Sequence, residues 1–424
     1  MHILIATPYL PWPLASGGNV AQFSTLQCLS QDHLFTLVCP VYSQQQVDDA
    51  KELSNHLTNV RVKAVPCFIS HPQWHLEIRN AFHGIRKFLR PQIAEVSLLP
   101  YYPFAPLPTA FIDVLSQEID AGVDLLQVEF ADMLSLGCWQ HRKIPKLFIH
   151  HQIHWVYTRR YIATHESLPY CNYLEARMYA EEVSFLSTFD GIVVFSETDA
   201  RELSGAIDPK IIHVSPFPIP ADIEFVEKPT PISKSHFIFI GSEKHYPNQD
   251  ALNWLLEDIW PLIRDSLPQA RLSVIGSWSE AWRIAHETEG VDYSGFVEDL
   301  SAQIRGTIQL VPIRIGSGIR TKVLAAMAQG VPIVSTSVGI EGIKINDNEH
   351  LLIRDHAEMF ASAAIKLAKD PELSAHLSHE ALRVIQTQYS PDMVRRTRNE
   401  IYETVVHHAK LFDHLRQAPK KCHL

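Results

Sequence analysis

The sequence PIRIGSGIRTKVLAAMAQGVP, residues 312–332, is the stretch that decides the fold. An apolar run ends at Val311, and a Gly-Ser-Gly loop follows it at residues 316–318. The pattern after the loop predicts a helix from about residue 319 to residue 329, with Gly330 as its C-cap and Pro332 beyond it. A strand, a glycine loop and a helix in this order indicate one unit of an α/β domain.

Three cations lie within one turn of that helix start, at Arg314, Arg320 and Lys322. Cations at a helix N-terminus oppose the helix dipole and are by themselves slightly unfavourable. Their position is explained if an anion with a charge of about −2 binds at the glycine loop, where backbone N–H groups are free to donate. The alternative is that Arg320 and Lys322 only solvate the helix.

Short apolar runs alternate with amphipathic helical patterns along the chain. Several runs are apolar on both faces, as in parallel strands that helices cover on each side. The predicted strands are 2–6, 34–39, 60–65, 125–128, 146–149 and 191–195, then 236–240, 271–275, 307–311 and 331–335. This alternation predicts an α/β protein of two Rossmann-like, doubly wound domains.

Five prolines in the nineteen residues 213–231 mark a break between the two series of strands, because proline interrupts helices and central strands. We therefore predict an N-terminal domain of residues 1–224 and a C-terminal domain of residues 225–390. Residues 391–424 form a last helix and a basic tail. That helix either closes its own domain or crosses back to the first, and packing on the N-terminal domain is our prediction.

Length, charge and cysteine content indicate how many domains the chain has and which kinds of protein it is not. A chain of 424 residues exceeds the usual limit for one core, about 250–300 residues. The net charge of −10 argues against bulk nucleic-acid binding. The six cysteines are scattered without a C-x-x-C pair, which fits a reducing cytosol. The chain start has no basic n-region and no apolar run reaches about 18 residues, so we expect a cytoplasmic protein.

The loop after the first predicted strand, TPYLPWPLASGGN at residues 7–19, ends in Gly17 and Gly18 at the start of a helical pattern. It does not follow the G-x-G-x-x-G pattern of a dinucleotide site. Backbone N–H groups at such a terminus favour a phosphate or a closely packed sugar. The alternative is a plain left-handed turn.

The sequence HHQIH at residues 150–154 directly follows an apolar strand. His150 and His154 have the spacing of a zinc pair, but a third ligand and the glutamate of H-E-x-x-H are missing. Simple packing is the other alternative. Glu129 ends the strand at 125–128, at the edge where open α/β sheets bind ligands. It and Tyr9 are candidate acceptor contacts, although Glu129 could also be a solvated loop residue.

Residues 74–91 combine an apolar helical stripe with flanking cations at Arg79, Arg86, Lys87 and Arg90. A basic amphipathic helix can lie on an anionic membrane surface. The alternative is that the stripe packs on its own domain. Peripheral membrane contact through residues 74–91 is therefore one of two interpretations of this segment.

Four segments together resemble the donor site of the retaining GT-B glycosyltransferases of family 4. They are residues 312–332, FIGSEKHYPNQDALNW at 239–254, YSGFVEDL at 293–300 and SGG at 16–18, in the order of that family. The resemblance covers the whole C-terminal domain and, more loosely, the N-terminal domain. It implies the GT-B fold, in which two Rossmann-like domains face each other across a cleft.

Carried over position by position, the resemblance implies the residues that act on a nucleotide-sugar donor. His151, Arg314 and Lys322 would form the catalytic set, with the two cations on the diphosphate. Donor contacts would be Gly17, Gly18, Gly241, Ser242, Asn248, Phe296, Val297, Gly316, Ser317 and Gly318. Phe296 and Val297 would hold the base through their backbone. Because the cations replace a divalent metal, neither a metal nor a separate cofactor is expected.

Two positions depart from the family's E-x7-E pattern, since Ser317 and Ala325 stand where the two glutamates are found. The second glutamate usually holds the ribose, and Glu341 is our candidate to replace it. Ser242 and Asn248 stand where many relatives carry Arg and Lys. These departures leave a catalytically silent GT-B homologue, acting as a binding or partner subunit, as the main alternative. An epimerase on the same fold would need a carboxylate pair that we do not identify.

The expected function is transfer of a sugar from a UDP- or GDP-linked donor to an acceptor hydroxyl, with retention and without metal. The resemblance leaves the acceptor open among a glycan, a lipid-linked sugar and a small molecule. It places the protein in polysaccharide or glycoconjugate biosynthesis.

Overall fold

The computed structural model describes residues 1–14, 17–67, 107–141, 143–163, 171–216, 219, 223, 225–232, 235–297 and 299–417. These residues form two separate parallel β-sheets, one in each half of the chain. Both sheets are flanked by helices that follow the strands in sequence. The expected α/β class with two Rossmann-like domains is confirmed.

The first sheet has seven parallel strands in the order β3-β2-β1-β4-β5-β6-β7. Its central strand β1 is buried on both faces, with Ile3 and Ile5 in one core and Leu4 in the other. The strands are β1 His2–Ala6, β2 Leu34–Val41, β3 Val60–Pro66, β4 Leu125–Glu129, β5 Lys146–His150, β6 Gly191–Val194 and β7 Ile212–Val214.

The helices of this half are α1 Gly17–Leu29, α2 Gln44–His56, α3 Thr109–Gly122, α4 His154–Ala163, α5 Cys171–Leu186 and α6 Glu197–Ser204. Two 3-10 helices, Ala131–Cys138 and Pro209–Ile211, complete the described part. Strand order reverses between β1 and β4, so the loops after these strands open on one crevice at the edge of the sheet.

The second sheet has six parallel strands in the order β10-β9-β8-β11-β12-β13. They are β8 His236–Ile240, β9 Arg271–Ile275, β10 Val291–Gly295, β11 Ile308–Val311, β12 Ile333–Ser335 and β13 Leu352–Ile353. The helices are α7 Tyr246–Trp254, α8 Trp260–Ser266, α9 Glu280–Ala285, α10 Leu300–Ile304, α11 Thr321–Ala328, α12 Ala357–Lys369 and α13 Pro371–Gln388, with a π-helical turn at Leu255–Ile259. The order again reverses at the centre, between β8 and β11.

The last helix, α14 Pro391–Gln417, leaves the second sheet and packs on α1 of the first half. The Asn399 side chain lies 2.8 Å from His33 Nε2, and the Tyr402 hydroxyl donates to Gln127 Oε1 at 2.7 Å. Ile401 and Val405 of this helix are buried, whereas Leu411 is exposed. The crossing helix thus joins the two halves on the side of β4.

The strand predictions agree with ten of the observed strands to within two residues at each end. Three strands were missed: β7, β10 and β13. β7 and β13 have three and two residues, and β10 alternates half-buried and exposed positions at a sheet edge. Such edges lack the apolar run by which the central strands are recognised. The predicted domain boundary near residue 225 lies in the connection between β7 and β8 and stays a prediction.

Among the residues that the structure describes, no helix is both long and apolar enough to cross a bilayer. The amphipathic segment predicted at 74–91 lies outside the described residues.

Candidate functional site

The Gly316–Ser317–Gly318 loop lies between β11 and α11 and is pressed against the first half of the molecule. Gly316 and Gly318 have φ angles of 135° and 80°, which side-chain-bearing residues rarely adopt. A Cβ on Gly318 would lie 2.5 Å from the carbonyl oxygen of His151. Ser317 Oγ accepts from the Ile153 N–H at 3.3 Å. The loop therefore needs both glycines, one of them because the N-terminal half approaches it so closely.

Two helix N-termini converge at this loop. Gly17 opens α1, and a Cβ built there would lie 3.0 Å from the hydroxyl of Thr321, the first residue of α11. Neither helix has an acidic residue in its first turn. The positive ends of the two dipoles thus face one space without a carboxylate from either helix to offset them.

Lys322 projects from α11 toward the end of β8. Its partly buried Nζ donates to the Ile240 carbonyl at 2.6 Å and to Asn248 Oδ1 at 3.1 Å. Burial of the ammonium group, together with Arg320 nearby, lowers the pKa of Lys322 to about 7. Near neutral pH this lysine is therefore ready to gain a proton when an anion binds.

Arg320 folds back into the glycine loop. Its Nη1 donates to the carbonyl oxygens of Ser317, at 2.9 Å, and of Gly318. Its Nη2 is buried and has no hydrogen-bond partner among the described residues. Burial lowers the pKa of Arg320 to about 10. A buried guanidinium N–H without an acceptor favours an anionic ligand at this position.

Arg314, predicted to contact the diphosphate, is paired elsewhere. Its guanidinium donates to both oxygens of Asp250, at 2.7 and 3.1 Å, and lies 4.9 Å from the ring centroid of Trp254. Its side chain is 41% exposed. A phosphate contact by Arg314 stays a prediction, and Asp250 would have to share the guanidinium.

The predicted donor contacts Gly241, Ser242 and Asn248 lie together after β8. A Cβ on Gly241 would lie 2.7 Å from Asn248 Cγ. Only glycine therefore fits at this position, where the end of β8 lies close to α7. Asn248 Nδ2 donates to the Ser242 carbonyl at 3.0 Å. This contact fixes the amide so that its oxygen faces Lys322.

Phe296 and Val297 follow β10, after Gly295 with its φ of 71°. The Phe296 ring is 69% exposed. Ala325 of α11 is 3% exposed, so that position is buried. The base and ribose contacts expected around these residues remain predictions.

His151 lies just beyond β5 and is held by two residues at the end of β4. Its Nε2 lies 2.6 Å from Glu129 Oε2, and its ring stacks on Phe130 with centroids 3.9 Å apart. Phe130 has φ 64° and ψ 153°, a conformation that costs a bulky residue about 1–3 kcal/mol. Strain of this kind is typical of functional sites.

The acceptor contact of Glu129 stays a prediction, and the structure gives this carboxylate two partners of its own. Glu129 is 3% exposed, and its other oxygen accepts from Gln127 Nε2 at 2.6 Å. Both carboxylate oxygens are therefore engaged by other side chains, those of Gln127 and His151. Tyr9 is 40% exposed, packs on Phe130 and donates to Asp132 at 3.0 Å, so its predicted acceptor contact stays open.

His150 and His154 share a buried carboxylate that the sequence did not reveal. Glu182 of α5 lies 2.9 Å from His150 Nε2 and accepts the backbone N–H of His154 and Trp155 at the start of α4. Although burial opposes it, the two adjacent histidines hold the pKa of Glu182 at about 2. The arrangement is a helix cap, and the described residues contain no group of three or more potential metal ligands.

Helix α4 contributes two side-chain contacts between the halves, which the sequence also did not reveal. Arg160 binds both carboxylate oxygens of Glu341 at 2.6 Å and donates to the Gly316 carbonyl. Tyr161 meets Tyr246 edge to face, with centroids 5.1 Å apart. Glu341, our candidate for the ribose, is thus already paired with a cation.

Both the fold and a segment of the second half resemble those of a known class of protein. Residues 234–370 match the family model described as Glycosyl transferases group 1, and the two facing Rossmann-like domains are those of the GT-B fold. The expected resemblance to glycosyltransferases is confirmed at this level.

Particular relatives are distant. The chain is 23% identical to an uncharacterised 44.6 kDa protein in the cps region of Klebsiella pneumoniae, over 92% of this chain and 97% of that protein. Sucrose-phosphate synthase from Thermosynechococcus elongatus has a TM-score of 0.69 at 13% identity, covering 96% and 99% of the two chains. Anabaena HepE in complex with UDP-glucose has a TM-score of 0.60 at 14% identity, covering 96% and 100%.

A third solved structure is an S. aureus TarM mutant in complex with fondaparinux, α-GlcNAc-glycerol and UDP. Its TM-score is 0.64 at 12% identity, covering 95% of this chain and 99% of that one. At such low identities these structures show the shared fold.

Proposed function

We propose that this protein transfers a sugar from a nucleotide-diphosphate sugar to an acceptor hydroxyl, with retention of the anomeric configuration. One observation carries the proposal: two helix N-termini, a buried arginine N–H without a partner and Lys322 converge on one glycine loop. Each of these features stabilises negative charge, and a diphosphate supplies it.

The charges around the loop support this ligand. Arg160 and Arg314 are each paired with a carboxylate, Glu341 and Asp250. Within the described residues, neither Arg320 nor Lys322 forms an ion pair with a carboxylate. Two partly buried cations in excess balance an anion with a charge of about −2.

The step that the site would support needs charge neutralisation rather than a protein nucleophile. The bond between the sugar C1 and the diphosphate oxygen breaks, and a bond from C1 to the acceptor oxygen forms on the same face. The acceptor proton passes to the leaving diphosphate. Lys322 and the loop N–H groups would stabilise the charge that develops on that leaving group. His151 would contact the donor sugar or its phosphate from the opposite domain.

The comparisons support the donor class and leave its base open between UDP and GDP. HepE binds UDP-glucose, and the TarM mutant binds UDP and α-GlcNAc-glycerol. The relative in the cps region agrees with an acceptor in polysaccharide biosynthesis. A glycan, a lipid-linked sugar and a small molecule are the acceptor classes to test.

The direct test is to incubate the protein with UDP- and GDP-sugars, with and without candidate acceptors and EDTA. We expect release of nucleoside diphosphate that survives chelation, because cations of the chain occupy the place of a metal. Activity lost with EDTA and restored by Mg²⁺ or Mn²⁺ would refute the metal-free mechanism.

A silent homologue remains the alternative because Ala325 brings no carboxylate to the site. Donor binding without any release of nucleoside diphosphate would favour it.

A further inference from the structure

Glu129 is one member of a buried polar chain that runs from His151 to the last helix of the protein. Glu129 and Gln127 alternate with Val128 on β4 and therefore point to the same face of the sheet. That face is covered by α14, whose Tyr402 is fully buried. Four side chains from three separate parts of the sequence thus meet on one side of the first sheet.

The hydrogen bonds of this network of four side chains all run in one direction. The Tyr402 hydroxyl donates to Gln127 Oε1 at 2.7 Å, and Gln127 Nε2 donates to Glu129 Oε1 at 2.6 Å. Glu129 Oε2 then accepts from the Nε2–H of His151 at 2.6 Å. An ionised carboxylate only accepts, so this contact places the imidazole hydrogen on Nε2 and leaves Nδ1 with the lone pair when the ring is neutral.

The amide of Gln127 is fixed by what lies on each side of it. Its NH₂ group faces a carboxylate, and its oxygen faces the Tyr402 hydroxyl. Without the hydroxyl, the amide could turn and point its oxygen at Glu129, which would displace the carboxylate from His151. Tyr402 therefore determines the orientation of an amide two hydrogen bonds away from the histidine.

A buried cation lies beside the Tyr402 phenol. Arg398, one turn before Tyr402 on α14, is 1% exposed and bonds to Ser215 Oγ at 3.3 Å through Nε. Burial raises the pKa of the Tyr402 phenol, and the nearby guanidinium opposes that rise. The phenol therefore remains a neutral donor beside a buried cation and a buried carboxylate.

We propose that Tyr402 of α14 is a positioning residue for His151, acting through Gln127 and Glu129 to hold the imidazole in the Nε2–H tautomer. The crossing helix thereby couples the C-terminal end of the chain to the histidine at the cleft. The catalytic consequence rests on the proposed function, whereas the tautomer itself does not.

The test is nitrogen NMR of the full chain labelled with ¹⁵N-histidine, at a pH where the ring is neutral. His151→Asn identifies the His151 signals. In the unmodified protein we expect a protonated Nε2 and an unprotonated Nδ1. Tyr402→Phe should shift His151 toward a mixture of tautomers, and Glu129→Gln should favour Nδ1–H, because the new amide can donate to Nε2. Tyr389→Phe removes another buried hydroxyl, which accepts from the Lys344 N–H outside the network, and should leave the His151 signals unchanged.

A tautomer that is unchanged in Tyr402→Phe would overturn the proposal. Should that variant not fold, Gln127→Met takes its place, with the same deciding outcome. If a nucleotide-sugar is turned over, Tyr402→Phe should lower kcat roughly fivefold with little change in KM, and its effect should not add to that of Glu129→Gln. If no nucleotide-sugar binds, the proposed function fails while the tautomer still decides this inference.

Discussion

Lys322 is the residue whose surroundings say most about the expected ligand. Within the part of the chain that the structure describes, its ammonium group donates to one backbone carbonyl and one amide oxygen, both neutral. A buried cation with neutral partners is costly, and a bound phosphate would relieve that cost. The contribution of Lys322 to the affinity should therefore be larger for ligands whose phosphates carry more negative charge.

Lys322→Ala should weaken binding of a nucleoside diphosphate about tenfold or more, because a charge-assisted hydrogen bond is lost. Binding of the matching nucleoside should change little. Lys344→Ala, which removes an exposed lysine of the same domain, is the control. Calorimetric titration measures all of these affinities. Equal losses for the nucleoside and the diphosphate would show that Lys322 is not at the phosphates.

The lowered pKa of Lys322 predicts a pH dependence. The free protein loses the lysine proton as the pH rises through about 7, whereas a bound diphosphate favours the charged form. Binding above pH 7 must therefore take up a proton, and the affinity should fall as the pH rises, approaching about tenfold per pH unit. Lys322→Arg keeps its charge over this range and should flatten the profile. A flat profile in the unmodified protein would contradict the argument.

Single residues show where inference from the sequence ends. Gly316, Gly318 and Lys322 were predicted to contact an anionic ligand because a strand, a glycine loop and a helix follow one another within one short segment. The engagement of Glu129 with His151 depends on the pairing of β4 with β5, where Glu129 lies opposite Ile149. His151 is two residues after Ile149, so side-chain alternation places it on the same face of the sheet as Glu129. The sequence analysis did not use this alternation.

At the scale of elements, the loop before α11 and the segment leading into α4 are in close contact across the two halves. The Gly318 position lies against the His151 carbonyl, and Ile153 bonds to Ser317. A donor held at the loop would therefore be in reach of groups from both domains. Closure of this contact would exclude water from the reaction.

Gly318→Ala should disrupt this contact. The added methyl group would lie 2.5 Å from the His151 oxygen, and the φ of 80° is strained for alanine. We expect loss of diphosphate affinity together with a more open shape in small-angle X-ray scattering. Gly205→Ala is the control, because that glycine has helical φ and its nearest neighbour is 3.6 Å away. Unaltered binding in Gly318→Ala would show that the loop is not at the ligand.

Elements with a strong local signal were predictable, and long-range partners were not. The central strands are continuous apolar runs, and the sequence located them closely. The pairing of Arg160 with Glu341 joins residues 181 positions apart. Nothing in the periodicity of either segment indicates such a contact, since it depends on how the two sheets face each other.

At the scale of the whole molecule, the two sheets have the same order over six strands, the first has a seventh strand at one edge, and each order reverses after its third strand. The connections after β1, β8 and β11 lead to Gly17, Gly241 and the loop before Lys322, and His151 follows β5, the neighbour of β4. Ligands of open α/β sheets bind at such reversals. The sequence predicted this architecture because each half alternates strands and helices, and α14 closes it by returning to the first half.

The central claim is that this cleft binds a nucleotide-diphosphate donor. The most direct measurement is thermal unfolding of the full chain with uridine, guanosine, their diphosphates and the corresponding sugar nucleotides. We predict that the uridine or the guanosine diphosphate ligands raise the unfolding temperature. At a hundredfold excess over Kd, the free energy of unfolding should increase by about 2.7 kcal/mol, whereas the matching nucleoside should have much less effect. The rise should be largely lost in Lys322→Ala. Unchanged unfolding with every UDP- and GDP-linked ligand, in the unmodified protein, would contradict the account.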